Sequence, residues 1–249
     1  MTTSRCFGVR LWDQGFFPAV SMLTTAIESG QVGYGCFANA HMIGESRHNP
    51  DVARAMRKAT WVFPDGKPVA FLLRSRGAPC ATQVAGPDVT EQLLTIATAK
   101  QIPVFLFGGR IEVLDALVNQ LKSKFPTLIL TGVYSPPFRP WTQAEEHADA
   151  ERIRDSGARL CLIALGCPKQ ELWMHRHAAT TGMVCLGIGA AFAILAGVTP
   201  RAPKWASSAG LEWAYRWIQE PRRLAYRYTI GNFRFACALL RELRTRRTP

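Results

Sequence analysis

From residue 100 onward, short apolar runs alternate with amphipathic stretches of helical length. Pro103–Gly108 reads as a buried strand, and Ile111 to Phe125 as a helix with Leu114, Leu117, Val118 and Leu121 on one stripe. The unit then recurs as strand Leu128–Val133, helix Gln143–Asp155, strand Arg159–Leu165, helix Lys169–Thr180 and strand Met183–Ile188. Continuous apolar strands with a helix between each pair predict βαβ crossovers and a parallel sheet buried on both faces.

The first hundred residues fit the same layering less regularly. Gly33–Ala38 and Thr60–Phe63 read as strands, with helices near 19–29, 50–58, 67–74 and 88–100. Neither a repeat nor a linker separates this half, so residues 1–200 are read as one α/β domain with a Rossmann-like parallel sheet and helices on both faces. From Leu211 the pattern is helical and rich in aromatics, and Pro221 and Gly231 are expected to break or kink it. If the helix runs on, Arg216, Arg223, Arg227, Arg234 and Arg241 fall on about one face. Residues 201–249 therefore form a basic, aromatic-rich helical appendage to the core.

Composition sharpens this division. The chain has 249 residues, 48% of them hydrophobic, enough to bury a core without disulfides or metal staples. Its formal charge is +12; residues 201–249 hold eleven basic and three acidic side chains, which leaves the preceding 200 residues close to neutral. A near-neutral body with a basic, aromatic tail points to an anionic partner such as a phosphate, a nucleic acid or a lipid surface. The seven cysteines form no C-x-x-C pair and read as reduced, buried thiols of a cytosolic protein. The N-terminus lacks the apolar stretch of a signal peptide. The uncharged run Met183–Pro200 approaches membrane-spanning length, but its glycines and its place in the α/β alternation favour a buried strand and turn.

In a parallel α/β sheet, ligands bind at the carboxyl ends of the strands, so the polar residues after each apolar run are the candidates. Pro64-Asp65-Gly66 holds one carboxylate between a rigid and a permissive residue: a candidate base, or an ordinary turn. Gly108-Gly109-Arg110 opens a helix and outlines a phosphate cradle. Gly166-Cys-Pro-Lys169-Gln170 brings a cation and an amide toward the same mouth, suited to a diphosphate or a sugar, or marks a surface helix start. Gly187-Ile-Gly189-Ala-Ala-Phe192 approaches the dinucleotide fingerprint, but Phe192 stands where a small residue is needed and no acid follows at the ribose distance. A nicotinamide cofactor is thereby disfavoured. His175 and His177 are two apart on a helix and point in different directions, and neither a metal-binding triplet nor a nucleophile elbow is present. No cofactor and no metal are expected.

Taken in order, several segments resemble the WecG/TagA/CpsF glycosyltransferases. They are Phe37-Ala-Asn39-Ala-His41-Met42, Pro64-Asp65-Gly66, Val84-Ala-Gly86-Pro-Asp88, Phe107-Gly108-Gly109 and Ala164-Leu-Gly166-Cys-Pro168-Lys169-Gln170-Glu171. Further along come Gly187–Phe192, Arg201-Ala-Pro203, Gly210–Arg216 and Glu220-Pro221-Arg222-Arg223-Leu224, so the resemblance covers roughly residues 7–228. It implies an inverting transferase that moves a hexose or N-acetylhexosamine-type sugar from a UDP-sugar to a saccharide on undecaprenyl diphosphate, at the inner face of the cytoplasmic membrane. It places the base at Asp65, has Asn39, Gln170 and nearby backbone orient the sugar and nucleotide, and has Arg216, Arg222 and Arg223 meet diphosphate or lipid headgroups. Many members carry Thr in place of Phe37 and Asp in place of Ala193, and the Phe-Ala-Asn-Ala-His form looks more like the exopolysaccharide branch. The expected partners are the UDP-sugar, the lipid-linked acceptor and an anionic membrane, with no nucleic acid. Two other readings remain open: a nucleic-acid-binding protein that uses the Arg/aromatic tail, and a catalytically silent relative that binds the lipid carrier.

Overall fold

The computed structural model describes residues 3–203, 212–219 and 221–244. The chain opens with a hairpin of β1 (Thr3–Cys6) and β2 (Val9–Trp12), followed by α1 (Phe16–Glu28), β3 (Gly33–Ala38), α2 (Ala40–Ser46), α3 (Pro50–Lys58) and β4 (Trp61–Pro64). Next come α4 (Lys67–Ser75), α5 (Gly86–Ala99), β5 (Val104–Gly108), α6 (Ile111–Lys124), β6 (Leu130–Tyr134) and α7 (Gln143–Asp155). The core closes with β7 (Leu160–Ala164), α8 (Lys169–Thr181), β8 (Val184–Gly187) and α9 (Ala191–Leu195). Two further helices are α10 (Glu212–Gln219) and α11 (Pro221–Arg244).

Strands β3 to β8 form one sheet in the order β4-β3-β8-β7-β5-β6, and every pairing is parallel. Alternate residues feed two cores, one on each face. Cys36, Val62, Phe105, Phe107, Cys161 and Ile163 pack on one side with residues of α2, α3, α4, α7 and α8. Phe37, Phe63, Leu106, Leu162, Val184 and Leu186 pack on the other with α1, α5, α6 and α9. The fold is thus a Rossmann-like α/β sheet with helices on both faces, as the alternation predicts. Among the described residues, no helix is long and apolar enough to cross a membrane, and Met183–Pro200 is indeed a buried strand, turn and short helix.

Four expectations need correction. The hairpin β1–β2 has no counterpart in the sequence reading, because its two-residue turn is Phe7-Gly8 rather than the Asn-Gly that signals a type I′ turn. Both residues take positive φ, +55° and +77°, and Phe7 is bulky for that region. Helix α11 holds the turn: Glu242 Oε1 accepts from the Phe7 N–H at 2.7 Å, and the Phe7 and Phe235 rings lie 5.9 Å apart. Helix α2 likewise has no counterpart in the sequence pattern, since Gly44 weakens it. Gly231 does not break α11 but lies within it at the crossing with α2. A Cβ on Gly44 would come within 3.1 Å of the Gly231 carbonyl oxygen, so glycine there lets the two backbones approach. Finally, not every cysteine is buried: Cys80 is exposed on the loop between α4 and α5, and Cys167 and Cys237 are half-buried. All seven are free thiols, and burial pushes Cys6 and Cys36 up, away from reactive thiolate.

The basic appendage is therefore tied down at its far end. Phe235 and Ala238 join the core, Glu242 bridges Arg76 at 2.9 Å and Arg47 at 3.4 Å, and Arg234 is spent on Glu45 at 3.3 Å. Glu242→Ala leaves Arg76 and the Phe7 N–H without this partner, and should lower the unfolding free energy by about 2–3 kcal/mol. Hydrogen exchange should speed up in both the hairpin and residues 231–243. Exchange that changes in one segment alone would show that the two are not coupled.

Candidate active site

Six strands running the same way end on one edge, and the sheet order decides which turns meet there. Ala38 of β3 pairs with Pro64 of β4, so Asn39 and Asp65 leave the sheet side by side, on strands about 5 Å apart. The Asp65 N–H donates to the Ala38 carbonyl at 3.1 Å, extending the ladder by one step, and the Pro64 carbonyl accepts from the Val84 N–H at 2.8 Å. Gly66 then turns the chain into α4 at φ +111°, a conformation that side chains resist. Asp65 is half-buried at this turn. Asn39 caps α2, its Oδ1 accepting from the Met42 N–H at 3.1 Å, which fixes the side chain at the same rim.

Further along the edge, Gly108 and Gly109 end β5 at φ +97° and +84°. A Cβ at Gly108 would stand 2.9 Å from the Ala164 carbonyl carbon, so the turn is closed to side chains by both conformation and space. Ser135, at the end of β6, donates to the Gly109 carbonyl at 2.7 Å. Phe192 fills the volume behind Gly109 and is 2% exposed. It is a core plug, which explains why the fingerprint position carries an aromatic ring. Helix α6 starts directly after the turn with no side chain capping it, and Arg110 is exposed at its start.

The sequence brought Lys169 and Gln170 to the same mouth, but the structure gives them different surroundings. Lys169 is exposed in the first turn of α8 and makes no ion pair among the described residues. Gln170 is 3% exposed, and both of its amide atoms are engaged within the protein. Its Oε1 accepts from the Gly166 N–H at 3.2 Å; its Nε2 donates to the Gly187 carbonyl and to Glu171 Oε1, both at 2.8 Å. One side chain thereby locks the turn after β7 to the end of β8. Arg222 and Arg223 lie on α11 and Arg216 on α10, but their side chains lie outside the described residues. The body of α11 does reach the rim: a Cβ on Gly231 would be 3.4 Å from Nδ1 of His41, two residues past Asn39.

Ser135 is absent from the sequence motifs, and two motif residues, Glu171 and Arg201, have no role assigned by the sequence. Ser135 orients the glycine turn. Glu171 is fully buried beside Gln170, and its place on the Gln170–Trp173–Met174–Ala178 stripe is the signal that would have found it. Arg201 forms an ion pair with Asp88 at the start of α5, joining two segments that the sequence treats separately. His175 and His177 do diverge, toward the Tyr34 hydroxyl at 3.2 Å and Glu146 at 2.8 Å.

Such an edge suits group transfer: a carboxylate that can take a proton stands in the same row as a glycine turn where an anion can approach the backbone. The chain matches the glycosyl transferase WecG/TagA/CpsF family model over residues 5–249 and belongs to that family. It is a glycosyltransferase with a role in surface-polysaccharide synthesis, and its family in general uses a sugar-nucleotide donor and a lipid-linked acceptor.

The Gln170 lock makes a stability prediction. Gln170→Leu strands the Gly166 N–H and the Gly187 carbonyl, and should cost about 2–3 kcal/mol in urea denaturation. Lys169→Ala, at an exposed position, should stay within about 0.5 kcal/mol. Equal costs for the two variants would contradict the lock.

Proposed function

We propose that the protein is an inverting transferase that moves a hexose or N-acetylhexosamine-type sugar from a UDP-sugar to a saccharide carried on undecaprenyl diphosphate. The observation that carries the assignment of roles is the pairing of β3 with β4, which sets Asp65 beside Asn39 at the ligand-binding edge. Asp65 acts as general base, taking the proton from the acceptor hydroxyl as that oxygen attacks the anomeric carbon opposite the departing UDP. Asn39 orients the sugar from its cap position. Gly108 and Gly109 admit the diphosphate to the start of α6, and Lys169 offsets the charge that builds on the leaving group. Gln170 is a positioning residue that holds two of the turns facing the donor. Arg216, Arg222 and Arg223 bring cations to the acceptor diphosphate. The reaction requires no metal.

Residues 1–200 form the catalytic body and 201–249 the part that meets the lipid. Phe233, Leu240 and Leu243 of α11 and Trp217 and Ile218 of α10 are exposed, whereas Phe235 and Ala238 of α11 face the core. An apolar face beside arginines supports peripheral binding to an anionic membrane, at the inner face of the cytoplasmic membrane where nucleotide sugars are available.

Asp65→Asn should slow transfer by about 10²–10⁴-fold while leaving the circular dichroism spectrum unchanged. The measurement is UDP release from a panel of UDP-sugars with a lipid-diphosphate monosaccharide and EDTA present; near wild-type release by the variant refutes Asp65 as the base. Phe233→Ser/Leu240→Ser should reduce flotation with anionic liposomes by about tenfold or more. Unchanged flotation would remove α11 from the membrane contact.

A further inference from the structure

The opposite end of the sheet carries a second concave site that the transfer reaction does not use. A cavity of about 460 Å³ lies between the hairpin, the end of α3 and the start of β4. That is a volume typical of small-ligand sites. One whole face of the hairpin lines it, because Thr3, Arg5, Arg10 and Trp12 share a side of the two-stranded ladder. The floor is apolar, with Trp12, Met56 and Trp61 all buried, and the rim carries the exposed side chains of Arg5, Arg10 and Arg57.

The charge around the cavity is of one sign. Arg5 and Arg10 are directly opposed in the hairpin register, and like charges in that relation repel. No acid lines the cavity, and none of the three arginines forms an ion pair among the described residues. Elsewhere the chain pairs its arginines readily: Arg47, Arg76, Arg139, Arg154, Arg176, Arg201 and Arg234 all meet carboxylates. Helix-end placement accounts for Arg57 but not for the opposed pair. Trp61, one of the lining residues, has a buried indole N–H with no acceptor among the described residues. Three unpaired guanidinium groups over an aromatic floor match an anion with an apolar or planar body.

We infer that this cavity binds a phosphate-bearing ligand, in a site separate from the catalytic edge. Strand β4 has Trp61 at the cavity and Pro64 next to Asp65 at its two ends, so the sites lie roughly 10–13 Å apart along one strand. The phosphate belongs either to a soluble compound or to a lipid headgroup. The second source has a route, since the Phe7-Gly8 turn that borders the cavity is held by the end of α11.

The test uses the full chain and two probes, inorganic diphosphate and phosphatidylglycerol vesicles, read by hydrogen exchange in residues 3–12 and 60–62. The expected result is slower exchange there with one or both probes, and an effect in Arg5→Gln/Arg10→Gln that needs about tenfold more probe or is lost. Asp65→Asn should behave as wild type. In anion-free, low-salt buffer the double variant should unfold at the same or a higher temperature, because a repulsion has been relieved. Protection by diphosphate alone identifies a soluble ligand, and protection by vesicles alone identifies a headgroup; either supports the site. No protection by either probe, protection that persists in the double variant, or a double variant less stable in anion-free buffer would overturn it.

Discussion

Parallel pairing forbids a tight turn between neighbouring strands, so each strand of this sheet returns to its starting end through a crossover. Everything else follows from that restriction. The connections carry helices, the helices must cover both faces, and the strands must then be apolar on both sides. Two cores result, fed by alternate residues such as Cys36 and Phe37 or Phe105 and Leu106. The same restriction delivers six strand ends to one edge, so residues distant in the chain, Asn39, Asp65, Gly108 and Gly166, share a rim without any one of them being near another in sequence.

The basic tail is bound into this framework by contacts that depend on one another. The Phe7-Gly8 turn is strained by a bulky residue at positive φ, and it is held through Glu242 and Phe235 of α11. Helix α11 in turn rests on α2 at the Gly44–Gly231 crossing, and α2 begins at the Asn39 cap. A helix whose outer face is apolar and exposed is thus connected, through one short helix, to a residue at the catalytic rim.

The elements that were legible are those whose residues carry a local period. Strand Gly33–Ala38 and helices Pro50–Lys58 and Gln143–Asp155 appear with the boundaries read from the sequence, since a double-sided strand is continuously apolar and Asn49 and Thr142 are caps that act within one turn. Strand β6 starts two residues later than the apolar run predicts, because a turn at Phe125–Leu128 takes up the first apolar residues and the strand lies half-exposed at the edge. The hairpin and α2 were not legible: their stabilising partners are on α11, about two hundred residues away, and a Phe-Gly turn or a glycine in a short helix has no local signal.

For the site, the sequence by itself determined which residue types stand at strand ends, and hence that a carboxylate, a glycine pair and a lysine would be available on one edge. Strand length and polarity are local properties, so they survive without knowledge of the neighbours. Only the tertiary structure decided who meets whom. The order β4-β3-β8-β7-β5-β6 put Asp65 beside Asn39 and set β7 next to β8 so that Gln170 could lock their two turns, and the packing of the chain around the sheet brought Arg201 to Asp88. Those pairings depend on sheet order and packing, which arise from contacts summed over the whole chain and leave no trace in any short window of sequence.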